Sequence, residues 1–386
     1  MIFVMLALVV LANVYVVVRI WQILPFGTAG KIAIVALWVL LFAGSIAGIA
    51  KFWDKLPLPL GAFGYEVCNT WMIAFLYLLI AFLILDLGRL CHLVPVEFMK
   101  ASAPGSVVVF GIIGVILLAG NIHYGHKYRE QMEIVTDKVS EPLKIVMASD
   151  LHLGYHNRRP ELARWVDMIN AEKPDMVLIG GDIVDMSLKP VLEWDYAAEF
   201  RRIEAPVYTV LGNHEYYGDK PGAEKFFSES GITLLKDSVA TCKGLWIVGR
   251  DDRTNPRRKS VKDLLAAKAL LEVKDLLDKE PQYSLADDGP GILPGNQEFT
   301  ILLDHQPYHL EEAQEAGIDF QFSGHTHRGQ VWPLNWITDA IYEKSWGAHQ
   351  RGDTRYYISS GLGIWGAKIR IGTRSEYLVL TLSPKE

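Results

Sequence analysis

Four nearly charge-free stretches open the chain: Ile2 to Val18, Ile32 to Ile49, Trp71 to Leu85 and Val107 to Ile122. With tolerated flanking residues, each approaches the ~20 residues that carry a helix across a bilayer core. Short loops bearing Pro and Gly, "LPFGTAG" and "LPLPLGAFG", separate them. The pattern predicts four transmembrane helices at about 2–24, 31–50, 70–90 and 105–124, in a region ending near 125. Buried helices of a large soluble core are the bland alternative, and four in a row with such loops speak against it. Asn13 and Tyr15 in the first span then need partners in a helix bundle or a place near an interface. A cleavable signal peptide is disfavoured, because no basic segment precedes the first stretch and no small-residue cleavage pattern stands out before Pro25. Such a chain is expected in the cell membrane as a multi-pass protein. Its orientation stays open: Lys51, Lys55, Lys127 and Arg129 flank one side, and Arg19, Lys31, Arg89 and Lys100 the other.

From Gly125 to Pro142 the chain turns polar, "GHKYREQMEIVTDKVSEP", which predicts an exit from the membrane and a lead-in strand or linker over 126–142. Beyond Leu143 the period changes. "LKIVMASDLH", "DMVLIGGD", "VYTVLGNHE", "FTILLDHQP" and "DFQFSGHTH" each begin with a short apolar run rich in Val, Ile, Leu or Phe. Each run is closed by Gly, Ser or Asp, as buried strands are. Helical patterns lie between them, for example "RRPELARWVDMINAEKPD" and "YHLEEAQEAG". This alternation implies an α/β layer fold over 143–386 that binds ligands at the carboxyl ends of its strands.

Charge narrows the partners. Ten Lys and Arg stand against eight Asp and Glu up to Lys144, which leaves 28 against 36 beyond it. An acidic globular part excludes the basic footprint of a nucleic-acid binder. Cys68, Cys91 and Cys242 suggest neither a disulfide framework nor a thiolate metal site.

The candidate chemistry gathers at the strand ends: Asp150 and His152, Asp182, Asn213 and His214, His305, and His325 with His327. Taken singly they are weak. Asp-x-His also makes an Asx turn beside a surface histidine, "GGD" also makes a turn, and His305 also suits a helix start. Asn next to His after a buried strand has no packing use, however, and period-two histidines at a strand end point the same way. Imidazole, carboxylate and amide oxygen suit Mn, Fe or Zn. Seven of these eight side chains would complete two coordination spheres sharing one carboxylate, with one histidine left for proton transfer. That is the arrangement of a two-metal hydrolase, with ions ~3.5–4 Å apart.

The ordered set D-x-H, G-D, G-N-H-E, a lone His and G-H-T-H resembles the calcineurin-like metallophosphoesterase superfamily from about Leu143 onward. The tail "GHTHRGQVWP…YYISSGLGIWGAKIRIGTRSEYLVLTL" looks like its bacterial, membrane-associated phosphodiesterase branch, with Arg328 where that branch usually has Gly. The resemblance implies a β-sandwich of mixed sheets flanked by helices. It implies that Asp150, His152 and His327 hold one divalent metal, that Asn213, His305 and His325 hold a second, and that Asp182 bridges them. His214 matches the proton-transfer histidine. The expected reaction is attack of metal-bound hydroxide on a phosphodiester or phosphomonoester.

Outside this set, Asp252 and Arg253 follow a strand in "VGRDDRTNP" and are candidate substrate contacts, as is Arg328; a solvated surface is the alternative for each. His156, His309 and His349 show no partner pattern. Lys259 to Lys279 predicts an amphipathic helix, or two with a break, whose stripe is Leu264, Leu265, Leu271, Leu276 and Leu277, followed by the loop "QYSLADDGPGILPGNQ". "VWPLNWITDAIYEKSW" gathers Trp332, Trp336, Ile337, Ile341, Tyr342 and Trp346. These side chains suit a protein core or a membrane interface, and the second placement would favour a lipid-linked phosphoester. Two readings from other classes compete. A non-catalytic metal-binding scaffold would be expected to lack ligands, and none is missing. A transport protein with a regulatory domain would be expected to carry ionisable groups inside its spans, where only Asp86 and Arg89 near one end appear.

Overall fold

In a computed structural model that describes residues 2–269 and 298–385, the chain forms two units. One is Met1–Gly125 with Gly366–Ile369, and the other is His126–Trp365 with Arg370–Glu386.

The first unit contains α1 (Ile2–Ile23), α2 (Thr28–Ile49), α3 (Leu58–Leu90) and α4 (Ala103–Gly125). By length and composition α2, α3 and α4 are sufficient to cross a membrane, whereas α1 contributes the shorter apolar stretch Ala7–Ile23. The sequence placed the third helix at about 70–90, but α3 starts at Leu58 and takes in "LPLGAFG", the greater part of the expected loop. Pro59 falls in its first turn, where a missing N–H leaves no broken helical bond. Gly64 lies against the Trp53 ring, where any Cβ would clash. Asn13 Oδ1 accepts from Trp38 Nε1 at 3.2 Å, and Tyr15 Oη donates to Asp86 at 2.6 Å. Both polar groups are therefore paired between helices.

Among the described residues, the second unit is built on twelve strands. They are β1 (Lys127–Thr136), β2 (Leu143–Ala148), β3 (Met176–Ile179), β4 (Val207–Thr209), β5 (Ile232–Leu234), β6 (Ser238–Cys242), β7 (Leu245–Gly249), β8 (Thr300–Leu303), β9 (Phe320–Ser323), β10 (Gly347–Arg351), β11 (Thr354–Ile358) and β12 (Ser375–Pro384). The first sheet runs β1-β12-β2-β3-β4-β5 and the second β10-β11-β9-β8-β7-β6. Both are mixed. β2 to β5 are parallel while β12 opposes β2, and the parallel set β7, β8, β9 and β11 is flanked by antiparallel β6 and β10. The segment 126–142, expected as a lead-in strand or linker, contains β1, which pairs with β12 from Lys127 to Thr136 and forms the sheet edge.

Strand periodicity assigns the layers. Ile145 and Met147 of β2 enter the core between the sheets with Ile301, Leu303, Phe320 and Phe322. Val146 and Ala148 point the other way, toward Leu162, Trp165 and Val166 of α5 (Arg159–Ala171). On the far side Val248 and Leu302 pack on Val261, Leu264, Leu310 and Ala313. The order is helix, sheet, sheet, helix. Alternating side chains make both faces of each sheet apolar, so each sheet needs cover on both sides. Residues 261–269 are helical, as the amphipathic stripe predicts; Leu271, Leu276, Leu277 and residues 282–297 lie outside the described residues.

Candidate metal centre

All five apolar runs are strands, β2, β3, β4, β8 and β9, and the chemistry-bearing residues sit just past their ends. There the backbone bends sharply. Asp150, His152, Asp182, His325 and His327 all have positive φ, between 43° and 71°. Left-handed backbone is unfavourable for residues with a Cβ and concentrates at functional sites. Two glycines make room. A Cβ on Gly212 would strike the Asp182 carboxylate, and one on Gly324 would strike that of Asp150.

The bends bring seven of the predicted side chains into two adjoining groups. In the first, His152 Nε2 and His327 Nε2 face each other at 3.0 Å. Asp150 Oδ1 lies 3.4 Å from His327 Nε2 and 3.9 Å from His152 Nε2. In the second, Asn213 Oδ1 lies 2.7 Å from His325 Nδ1 and 3.2 Å from His305 Nε2. Asp182 Oδ2 completes it at 3.2 Å from His305 Nε2. Two donors each about 2.1 Å from one ion lie no more than about 4.2 Å apart, and every one of these separations is shorter. Asp182 Oδ2 is also 3.7 Å from His152 Nε2, in the first group. Its other oxygen accepts the His214 backbone N–H at 2.9 Å, which fixes the rotamer.

The donor set fits divalent cations on a second count. Two ring nitrogens at 3.0 Å make at most one hydrogen bond between them, and Nδ1 of buried His327 has no hydrogen-bond partner among the described residues. The field of the cage also favours positive charge. Burial opposes a charged His305, but the Asp182 carboxylate outweighs it and raises His305 well above its usual range. Burial likewise opposes the ionised Asp182, while His305 and His214 hold it well below the carboxylate range. His325 instead falls to about 4, through burial and the charge of His305. A cation entering such a cage displaces protons.

His214 stands apart from the seven. Its Nδ1 is 2.9 Å from Asp185 Oδ1, and its ring lies edge-on to His152 at 4.4 Å between centroids. Burial lowers its affinity for a proton, but Asp182 and Asp185 prevail and raise its pKa to about 9. His152, Asp185 and His214 also lie within ligand range of one another. There the His214–Asp185 hydrogen bond occupies the atoms an ion would need.

The outer candidates take varied places. Asp252 is buried, and both its oxygens accept from Gln306 Nε2 at 3.0 Å, so it supports the segment after His305. Arg253 is exposed and stacks 4.1 Å from the Tyr308 ring centroid. Arg328 stacks 4.2 Å from that of Trp346. His309 and His349 bond to Glu311 and Glu343 at the surface.

Sequence reasoning missed four residues. Asp185 follows Asp182 by three positions in "GGDIVDM", and an Asp beside a candidate bridge was the available signal. His156, treated as ordinary, is buried with Nδ1 4.0 Å from the same carboxylate. Glu215, inside "GNHE", accepts the backbone N–H groups of Gly212 and Val184 at 2.8 and 2.9 Å and locks the two loops together. Arg370 is buried under the His327 loop, donating to the carbonyls of His327 and Gly363 at 2.8 and 3.1 Å. No short motif marks it.

Comparison with known proteins agrees with this geometry. Residues 143–329 match the family model for calcineurin-like phosphoesterases, a range that holds all eight motif residues. An uncharacterized metallophosphoesterase of Helicobacter pylori is 28% identical over 66% of this chain and 64% of its own length, so the match spans just under two thirds of that relative. A zebrafish (Danio rerio) transmembrane protein with metallophosphoesterase domain is 27% identical over 90% of this chain and 79% of its own. The NAD nucleotidase of Haemophilus influenzae overlaps 57% of this chain and 45% of its own at 16% identity and a TM-score of 0.35, too loose to bear on activity. Residues 143–329 thus match the calcineurin-like phosphoesterases, and the chain is similar to transmembrane proteins that carry a metallophosphoesterase domain.

Proposed function

We propose that this protein is a membrane-anchored dimetal phosphoesterase that hydrolyses a phosphodiester or phosphomonoester. One observation carries the proposal: Asp182 Oδ2 faces both ligand groups, 3.7 Å from His152 Nε2 and 3.2 Å from His305 Nε2. Asp150, His152 and His327 would hold one divalent cation, and Asn213, His305 and His325 the other, with Asp182 as the bridge. The nitrogen and oxygen donors suit Mn, Fe or Zn. Two such cations supply a bound water of lowered pKa and neutralise phosphoryl oxygens. His214, held by Asp185 and protonated at neutral pH, gives its proton to the leaving oxygen, an effect of about 10²–10⁴-fold. Arg253 and Arg328, each stacked on an aromatic ring, are the proposed contacts for the anionic substrate. The helices α2, α3 and α4, with α1 as a fourth pass, anchor the enzyme in the cell membrane.

The test uses the full chain, purified in detergent and loaded with Mn or Zn. Elemental analysis is expected to find about two ions per chain, and bis-nitrophenyl phosphate to be hydrolysed. Two tightly held ions without hydrolysis across a panel of mono- and diesters would point instead to a metal-binding scaffold.

A further inference from the structure

Helix Leu334–Ile341 contains no buried residue. Trp336, Ile337 and Ile341 are 62%, 55% and 57% exposed. At 100° per residue they share one face with Ala340. Trp332, itself exposed, extends the face through an edge-on contact with Trp336 at 5.4 Å. Large exposed apolar side chains elsewhere in this unit, such as Val135, Leu192 and Tyr217, are far apart along the chain. Scattered ones are ordinary, whereas a contiguous patch marks an interaction surface.

The helix is clamped to the candidate metal centre at both ends. A Cβ on Gly329 would strike the backbone of Leu334 and Asn335, so the helix begins hard against the turn that carries His327. At its far end Thr326 Oγ1 donates to the Ser345 carbonyl at 2.6 Å. Tyr342 bonds to Tyr308 at 3.1 Å and stands edge-on to His325 at 6.3 Å. Whatever covers the apolar face is therefore held beside the metal-ligand loop.

We infer that this helix lies in the interfacial layer of a phospholipid bilayer and presents the metal centre to phosphoesters at headgroup level. The inference rests on the membrane-anchored phosphoesterase proposed above and specifies its substrate class as lipid-borne. Two features single out a bilayer as the occupant. Trp with aliphatic residues on one face of a short helix is the composition of interfacial helices. The covalent tether is also short: β1 starts at Lys127, two residues beyond the end of α4 at Gly125, a reach of about 7 Å at most. Where α4 leaves the bilayer, the domain must begin.

The experiment uses the full chain in nanodiscs of phosphatidylcholine and phosphatidylglycerol. A nitroxide is placed by Ile337→Cys, with Cys91→Ser and Cys242→Ser, and a control by Lys225→Cys, whose side chain is 77% exposed. Spin-label accessibility is expected to favour dissolved oxygen over a water-soluble nickel chelate at 337, and the reverse at 225. Equal chelate access at both positions overturns the inference, as does dipolar broadening between labels at 337, which would make the face a contact between copies. In a second arm, Trp336→Asp with Ile337→Asp is expected to lower hydrolysis of a nanodisc-embedded phosphodiester at least about tenfold and to leave that of soluble bis-nitrophenyl phosphate within about twofold. Equal loss on both substrates overturns it. The spin-label arm needs no catalysis, so failure of the hydrolase proposal and failure of the docking inference are separately visible.

Discussion

His214 Nδ1 lies 2.9 Å from Asp185 Oδ1, and the same oxygen stands 3.5 Å from Nδ1 of His152. One carboxylate thus orients both the proposed proton donor and a proposed metal ligand. Burial opposes its charge, but the neighbouring His152 and the hydrogen-bonded His214 outweigh that and hold Asp185 well below the usual carboxylate range. Asp185→Asn keeps the volume and removes the charge that fixes the imidazole tautomer. Turnover of bis-nitrophenyl phosphate is expected to fall about 10²-fold, with metal content unchanged by elemental analysis. Loss of metal in this variant would make Asp185 a support of the cage rather than of His214.

His214 and Asp182 predict opposite failures. His214→Ala is expected to retain both ions and lose about 10²–10⁴-fold in turnover, because its ring is not needed to complete either ligand group. Asp182→Ala removes the carboxylate oxygen that faces both groups and is expected to leave less than one ion per chain after dialysis. Measured side by side by elemental analysis, these two variants separate a proton donor from a ligand.

The contrast between the two residues matches what could be read from the chain. Asp182 and His214 sit in motifs that end apolar runs, and a strand terminus fixes where a side chain points. The five strands and the eight motif residues were legible because strand period and local motif coincide, whereas the mixed sheets followed from the family resemblance alone. Asp185 was not, since its role depends on a bend at Asp182, with φ of 52°, that turns the chain back beneath His214. Arg370 was hidden for a different reason: its partners are backbone carbonyls, which leave no trace in side-chain patterns. At α3, Pro and Gly looked like loop residues. A proline in a helix's first turn and a glycine under a Trp ring are both compatible with a continuous helix.

β1 gives a prediction about acid stability. Its Arg129 forks onto Glu172 at 2.7 and 3.0 Å, and Tyr377 Oη donates to the same carboxylate at 3.0 Å. The hydrogen bond from Arg129 is the main reason that Glu172 is held below its usual value. A carboxylate with a lowered folded-state pKa stabilises the fold above its unfolded value of 4.5. That contribution is lost as pH falls through the folded-state pKa. Because Arg129 is 40% exposed, the pair is worth about 1 kcal/mol or less. Glu172→Gln is expected to lower the melting temperature slightly at pH 7 and to match the parent once pH has fallen below the lowered folded-state pKa of Glu172. An unchanged gap between the two melting curves across that range would show that the pair does not anchor β1.

Arg370 supports the first ligand group from below. Its guanidinium is 1% exposed and donates to the carbonyls of His327, Ser360, Gly361 and Gly363, with Nε reaching Ser375 Oγ at 3.3 Å. These carbonyls belong to two loops that meet under Asp150, where a Cβ on Gly361 would come within 2.9 Å of the Asp150 Cβ. Lysine brings three donors from a single point where arginine brings a planar fork, so Arg370→Lys leaves several buried carbonyls unpaired. A loss of about 2–4 kcal/mol is expected in thermal unfolding. The backbone of His327, at φ of 47°, is the part most in need of the clamp. The ion proposed to sit on Asp150, His152 and His327 should therefore weaken first, and chelator titration should remove one ion well before the other. Two ions released together at the parent's chelator concentration, with unfolding unchanged, would show that the His327 loop holds its shape without this arginine.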